Sequence, residues 1–163
     1  MLSINFIPVD EDEIIDHVTW GHILIKDAVE YSSSESAQTM YLVVAVDELL
    51  SGILGFFRSP TEKQYSFVSM YGDYGIIVAR NRRQVISVYA LGDQNHPILQ
   101  TTPAQLRLAL WLGVSELFRN YEYSDETNGC ATAGSLTRQH ISSTLQQWII
   151  AFPELEPIVI RYR

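Results

Sequence analysis

Between residues 65 and 90 the chain reads as three apolar runs, Tyr65–Tyr71, Tyr74–Arg80 and Gln84–Ala90, cut by Gly72-Asp73 and by Asn81-Arg82-Arg83. Short runs rich in Ile, Val and Tyr and bounded by turn residues form strands, and interruptions this short fold them back on one another. The stretch therefore predicts an antiparallel three-stranded meander. A meander is stable only when one of its faces is covered by further apolar structure, so the remainder of the chain has to supply that cover. Asn81 tolerates the positive φ of a tight hairpin turn, which predicts that Arg80, Arg82 and Arg83 share one hairpin tip.

The flanking segments predict the cover. Leu2–Val9 is apolar, partly alternating and carries Pro8, the pattern of an edge strand. From Trp20 to Ser32, Ile23, Ile25, Val29 and Tyr31 alternate with Leu24, Lys26, Ala28 and Glu30, which predicts one half-buried strand. Ser32–Ser36 with Ala37-Gln38 reads as a turn, and the β-branched run Thr39–Val46 as a central strand hairpinned with the one before it. Asp47 is placed to cap a helix from Glu48 to about Phe57, with Leu50, Ile53, Leu54 and Phe57 inward and Pro60 as the stop. Thr102-Pro103-Ala104-Gln105 combines a cap residue, proline at the first helical position and Gln three residues after the cap, so a second helix opens there. Its inward face is Leu106, Leu110, Gly113, Val114, Leu117, Phe118 and Tyr121. A polar loop from Ser124 to Gly134 leads to a third helix from about Ser135, with Ile141, Leu145, Trp148, Ile149 and Phe152 inward and Pro153 as its end. Ile158–Tyr162 predicts a last strand. The expected fold is α+β, a single domain over residues 1–163 with a largely antiparallel sheet of about six or seven strands packed with three helices.

Charge bounds the partners. The chain of 163 residues carries a formal net charge of -8. Residues 1–50 hold ten acids (Asp10, Glu11, Asp12, Glu13, Asp16, Asp27, Glu30, Glu35, Asp47, Glu48) and one base, Lys26, a net of -9; the rest of the chain nets +1. Such a field repels nucleic-acid phosphates and anionic lipid, so neither direct nucleic-acid binding nor a membrane partner is expected. The lone Cys130 makes no internal disulfide and suits a reducing compartment. No basic segment with a long apolar stretch opens the chain, and no apolar run approaches the roughly 18–20 residues that span a bilayer. A cytoplasmic protein is expected.

Motifs for chemistry are absent from the sequence. His17 and His22 are five apart, His96 and His140 stand alone, and no Cys/His ligand spacing or helical His-Glu-x-x-His occurs. Asp10-Glu11-Asp12-Glu13 lacks the loop pattern that wraps oxygens around calcium and reads as a solvated acidic segment. There is no Gly-x-Ser-x-Gly elbow and no phosphate-cradling loop, and Cys130 with the downstream His140 does not specify a dyad. No enzyme, no metal and no cofactor is expected. Trp20 can close one end of a sheet core or serve as a recognition aromatic, and Tyr65, Tyr71, Tyr74, Tyr89, Tyr121 and Tyr123 carry the same two readings.

The order of these elements resembles small bacterial immunity proteins of contact-dependent growth inhibition and related polymorphic-toxin systems. The likeness lies in the short N-terminal strand, the Trp20-Gly21-His22 strand, the Tyr41–Leu50 passage, the Gly72–Val88 hairpin and the two C-terminal helices. It implies a protein that binds a cognate toxin domain, often a nuclease, and occludes its active site. A toxin that grips phosphates is basic, so an acidic inhibitor gains steering toward it. The interface candidates under this resemblance are Asp10, Glu11, Asp12, Glu13, Asp16, Glu30, Glu35, Asp47, Glu48 and Trp20. A small-molecule- or peptide-binding domain with a pocket between sheet and helices, and an assembly subunit with an aromatic homodimer face, are the other readings.

Overall fold

The structure is a computed structural model that describes residues 1–9, 13–27, 30–32, 40–69, 74–125, 131–158 and 160. It is α+β, with three helices and three small sheets in place of one large sheet. In the first sheet β1 (Ser3–Pro8) pairs antiparallel with β3 (Trp20–Lys26), which pairs in turn with β4 (Glu30–Ser32) and with β5 (Met40–Tyr41). A parallel two-stranded ladder joins β2 (Ile14–Ile15) to β10 (Glu122–Tyr123). The other four-stranded sheet is an antiparallel meander in the order β6 (Gln64–Val68), β7 (Gly75–Arg80), β8 (Ile86–Ala90), β9 (Asp93–Thr101). The helices are α1 (Leu42–Arg58), α2 (Pro103–Asn120) and α3 (Ala131–Ala151).

The first three meander strands fall on the three predicted runs and pair in the predicted order, while Met70, Tyr71 and the Gly72-Asp73 turn lie outside the described residues. β9 was not anticipated, because its first half is polar and exposed and Pro97 sits inside it; an outermost strand tolerates both. The hairpin tip differs in detail. Gln84, not Asn81, takes the positive φ, at 62°, while the Asn81 Oδ1 accepts from the Arg83 and Val85 backbone N–H groups. Arg80 leaves the tip altogether: its guanidinium donates to the Phe56 carbonyl at 2.9 Å and lies 4.6 Å from the centre of the Phe56 ring.

The largest correction concerns residues 20–58. Trp20–Ser32 is two strands, β3 and β4, paired antiparallel with Lys26 opposite Glu30. Thr39–Val46 is not a central strand: only Met40 and Tyr41 are extended, and Leu42 begins α1. Asp47 therefore lies inside the helix, not at its cap. A continuous apolar run fits a strand buried on both faces and a helix buried all round equally well, and here the helix wins because the periodicity continues to Phe56. Leu42, Val43, Ala45, Val46, Leu49, Leu50, Ile53, Leu54 and Phe56 are all buried. The start of α1 is capped from outside itself. The Asp16 carboxylate accepts from the Val18 N–H at 3.0 Å and the Thr19 hydroxyl at 2.8 Å, and the turn so formed aims the Thr19 carbonyl at the Leu42 N–H, 2.8 Å away.

α2 opens as predicted. The Thr102 hydroxyl accepts from Gln105 N, the Gln105 side chain accepts from Thr102 N, and Pro103 occupies the first turn. α3 begins at Ala131, four residues earlier than expected, and Pro153 opens a short 3-10 turn just beyond its end. Ile158 and Ile160 are not in a strand; Arg161 and Tyr162 lie outside the described residues. Both indoles of the C-terminal helices are anchored, Trp148 Nε1 donating to the Leu50 carbonyl and Trp111 Nε1 to the Ile158 carbonyl, each at 2.9 Å. Among the described residues no helix is long and apolar enough to cross a membrane.

α2 lies directly on β1 at Gly113, where an added Cβ would come within 2.0 Å of the Ile4 carbonyl oxygen. Alanine normally stabilises a helix interior by about 1 kcal/mol over glycine. Here the backbone of β1 cannot yield, so Gly113→Ala is expected to destabilise by roughly 1–3 kcal/mol, read as a lower urea midpoint at unchanged slope.

Candidate interaction surface

Asp47 and Glu48 are adjacent on α1, so about 100° of helix separates their side chains and they face different neighbours. Asp47 points to α3. His140 Nδ1 donates to its carboxylate, 2.8 Å to Oδ1 and 2.7 Å to Oδ2, and the same seam continues with Ser51 against Thr144 at 3.4 Å and Arg58 on Gln147 at 3.0 Å. Glu48 points to β6, where the Tyr65 hydroxyl donates to its backbone carbonyl at 3.1 Å. The Tyr65 ring lies over Gly52, one turn further on, where any Cβ would collide with it.

The Glu48 carboxyl makes no hydrogen bond or ion pair among the described residues. Partial burial against the helix–strand junction pushes its pKa above the ordinary carboxylate value, and the negative charge of Asp47 pushes it further the same way. The Tyr65 phenol responds to the same surroundings: burial, then the Glu48 charge, raise it to about 12. Beside them is a groove of about 120 Å³ lined by Tyr41, Val44, Ala45, Glu48, Phe67, Val68 and Ser69. The Trp20 ring packs on Tyr41 with centroids 4.8 Å apart at 57°, and Val68 is exposed.

Of the acidic and aromatic candidates, Trp20 and Glu48 both lie by Tyr41, the first in ring contact with it and the second lining the same groove, while Asp47 faces α3. Glu13 is exposed at another corner, where its carbonyl accepts from Glu122 N at 2.7 Å. Asp16 is buried inside the turn that caps α1 and belongs to the fold. The Glu30 backbone lies in β4, while Asp10, Glu11, Asp12 and Glu35 fall outside the described residues. Tyr41, Phe67, Val68 and His140 were not anticipated at this surface. Tyr41 sat within a run read as a strand, and neither Phe67 nor Val68 can be matched to a helical face before the tertiary arrangement is known.

The space between sheets and helices is filled, the ten core side chains from Ile4 to Leu110 that surround it leaving about 10 Å³. Elsewhere a groove of about 450 Å³ is lined by Trp111, Leu145, Ile149, Ile150, Ile158 and Ile160 among others. Among the described residues no three or more His, Cys, Asp or Glu side chains are grouped to hold a metal ion. No family model matches the chain, and no curated protein and no solved structure is significantly similar to it.

A raised carboxyl pKa means that folding favours the protonated form, so this contribution to stability is complete below about pH 4.5 and is lost as pH rises through the raised value. Glu48→Gln is expected to unfold at a higher urea concentration than the parent at pH 7, by roughly 0.5 kcal/mol or less, and to match it at pH 4. A lower midpoint at pH 7 would show that Glu48 has an intramolecular partner.

Proposed function

We propose that this chain is a binding protein of the bacterial immunity type, which recognises a basic cognate toxin domain, of the nuclease kind, and occludes its active site. The observation that carries this reading is the uncompensated Glu48 carboxyl beside the Trp20–Tyr41 aromatic pair on the exposed side of α1. Aromatic rings next to charge are the composition of binding hot spots, and a carboxylate held partly out of water gains most from a cation brought by a partner. Acids further along the first fifty residues add long-range attraction to a basic surface. This role belongs in the compartment where the toxin acts, the cytoplasm, and requires neither cofactor nor catalysis by this chain.

A second reading is supported by the 450 Å³ groove, whose apolar walls suit a small hydrophobic ligand or an apolar peptide segment. A ligand retained in the native mass spectrum and displaced by Leu145→Trp would favour it.

Coexpression with the toxin encoded directly upstream of this chain decides the first reading. Rescue of growth and a copurifying complex are expected; persistent toxicity without a complex overturns it. Replacing Asp10, Glu11, Asp12 and Glu13 together with their amides is expected to slow association by about tenfold at low salt and to flatten its salt dependence, measured by stopped flow. An unchanged rate would remove that segment from the mechanism.

A further inference from the structure

We infer that the groove between α1 and β6 receives one arginine side chain of the partner, with Glu48 as its counter-ion; this rests on the binding role proposed above. Three independent features of the groove select that occupant.

The first is charge. Among the described residues the Glu48 carboxyl has no hydrogen bond or ion pair, whereas the adjacent Asp47 carboxylate accepts a hydrogen bond from His140 Nδ1. The groove therefore presents one unmatched negative charge at a defined place, and a guanidinium there would draw the Glu48 carboxyl back toward its ordinary ionisation. The second is the wall. Tyr41 contributes a half-buried ring, and Val44 and the exposed Val68 contribute aliphatic surface, over the buried Ala45 and Phe67. Such a wall strips water from whatever enters. A planar, weakly hydrated guanidinium accepts that and stacks on rings, while a compact ammonium keeps its hydration, so the chemistry favours arginine over lysine. The third is size. About 120 Å³ is small beside the roughly 300–1,000 Å³ of a typical ligand cleft, a volume on the scale of one side chain.

The test separates the groove from the toxin. The full chain is titrated with N-acetyl-arginine amide, N-acetyl-lysine amide and the neutral N-acetyl-citrulline amide, with the side-chain resonances of Tyr41, Glu48, Phe67 and Val68 followed by NMR. Arginine amide is expected to saturate these four together in the millimolar range and to lower the Glu48 titration midpoint. Citrulline amide is expected to bind at least tenfold more weakly, lysine amide several-fold more weakly, and Glu48→Gln, which keeps shape and loses charge, to abolish the response. Equal binding of citrulline or lysine amide, a response at other residues, or a response that survives Glu48→Gln overturns the inference. In the toxin complex Glu48→Gln is expected to weaken affinity by roughly 30-fold. A complex that forms and is indifferent to Glu48→Gln overturns the groove and leaves the immunity role standing; specific arginine amide binding with no toxin complex does the reverse.

Discussion

Burial of one entire face of α1 is the constraint on which the rest of the structure depends. Leu42, Val43, Val46 and Leu50 have no measurable exposure, and Leu49, Ile53 and Phe56 next to none. At roughly 1.5–3 kcal/mol for each large apolar side chain removed from water, one helix supplies a large share of the core. It can do so only if structure packs around it. Ile4, Ile23 and Ile25 of the first sheet, Ile76, Val88 and Leu99 of the meander, and Leu106 and Leu110 of α2 meet Leu49 and Ile53 around one nearly filled space. This arrangement explains the division of the strands into small sheets. Strands of both four-stranded sheets, with α2 and α3, share the cover of that one face.

The same enclosure disposes of the positive charges. Arg80 is taken up by the Phe56 carbonyl and ring, and Arg107 lies 4.5 Å from the Phe152 ring, 5.4 Å from the Phe57 ring and 2.8 Å from Glu154. Arg138 donates to the Tyr123 carbonyl at 2.7 Å and pairs with Asp125 at 3.1 Å, and Arg58 reaches across to Gln147. Four arginines thus fasten helices and loops to one another. The partners named here all lie beyond the first fifty residues, where the sequence sets ten acids against one base. Within that segment Thr19 hydrogen-bonds Asp16 and His140 hydrogen-bonds Asp47, while the Glu48 carboxyl has no such bond among the described residues.

How much of this was legible follows from how local each signal is. The Thr102 capping box, the Gly72-Asp73 and Asn81–Arg83 interruptions and the apolar face of α2 are complete within a few residues, and the structure has the corresponding helix and strands. The start of α1 was invisible because its cap is the Thr19 carbonyl, more than twenty residues away in sequence. Tyr41 offers no side-chain cap, and Asp47, a good cap residue, is drawn into the helix because the preceding run is more strongly buried than a strand would allow. β2 and β10 were missed because two residues each are too few to show alternation. At the surface, the acids and Trp20 could be named from composition. The wall of the groove could not, since Tyr41 ends β5, Glu48 lies in α1 and Phe67 and Val68 in β6, and the packing of Tyr65 over Gly52 with its bond to the Glu48 carbonyl joins helix to strand.

Asp47 and Glu48 amount to a comparison within one turn of helix. At Asp47 the fold matches a carboxylate with an imidazole from α3 in two short hydrogen bonds. One position later it leaves a carboxylate partly desolvated, beside that first negative charge, with an aromatic wall and no cation. Leaving it so works against stability at neutral pH, and glutamine would fill the same space without the penalty. Structure alone gives no reason for an acid there. Under the proposed binding role the favourable partner of Glu48 arrives from outside and brings its positive charge past Tyr41. The local penalty at residue 48 and the attraction exerted by the acidic third of the chain therefore point to the same kind of ligand, one acting at the range of a hydrogen bond and the other at the range of the Debye length.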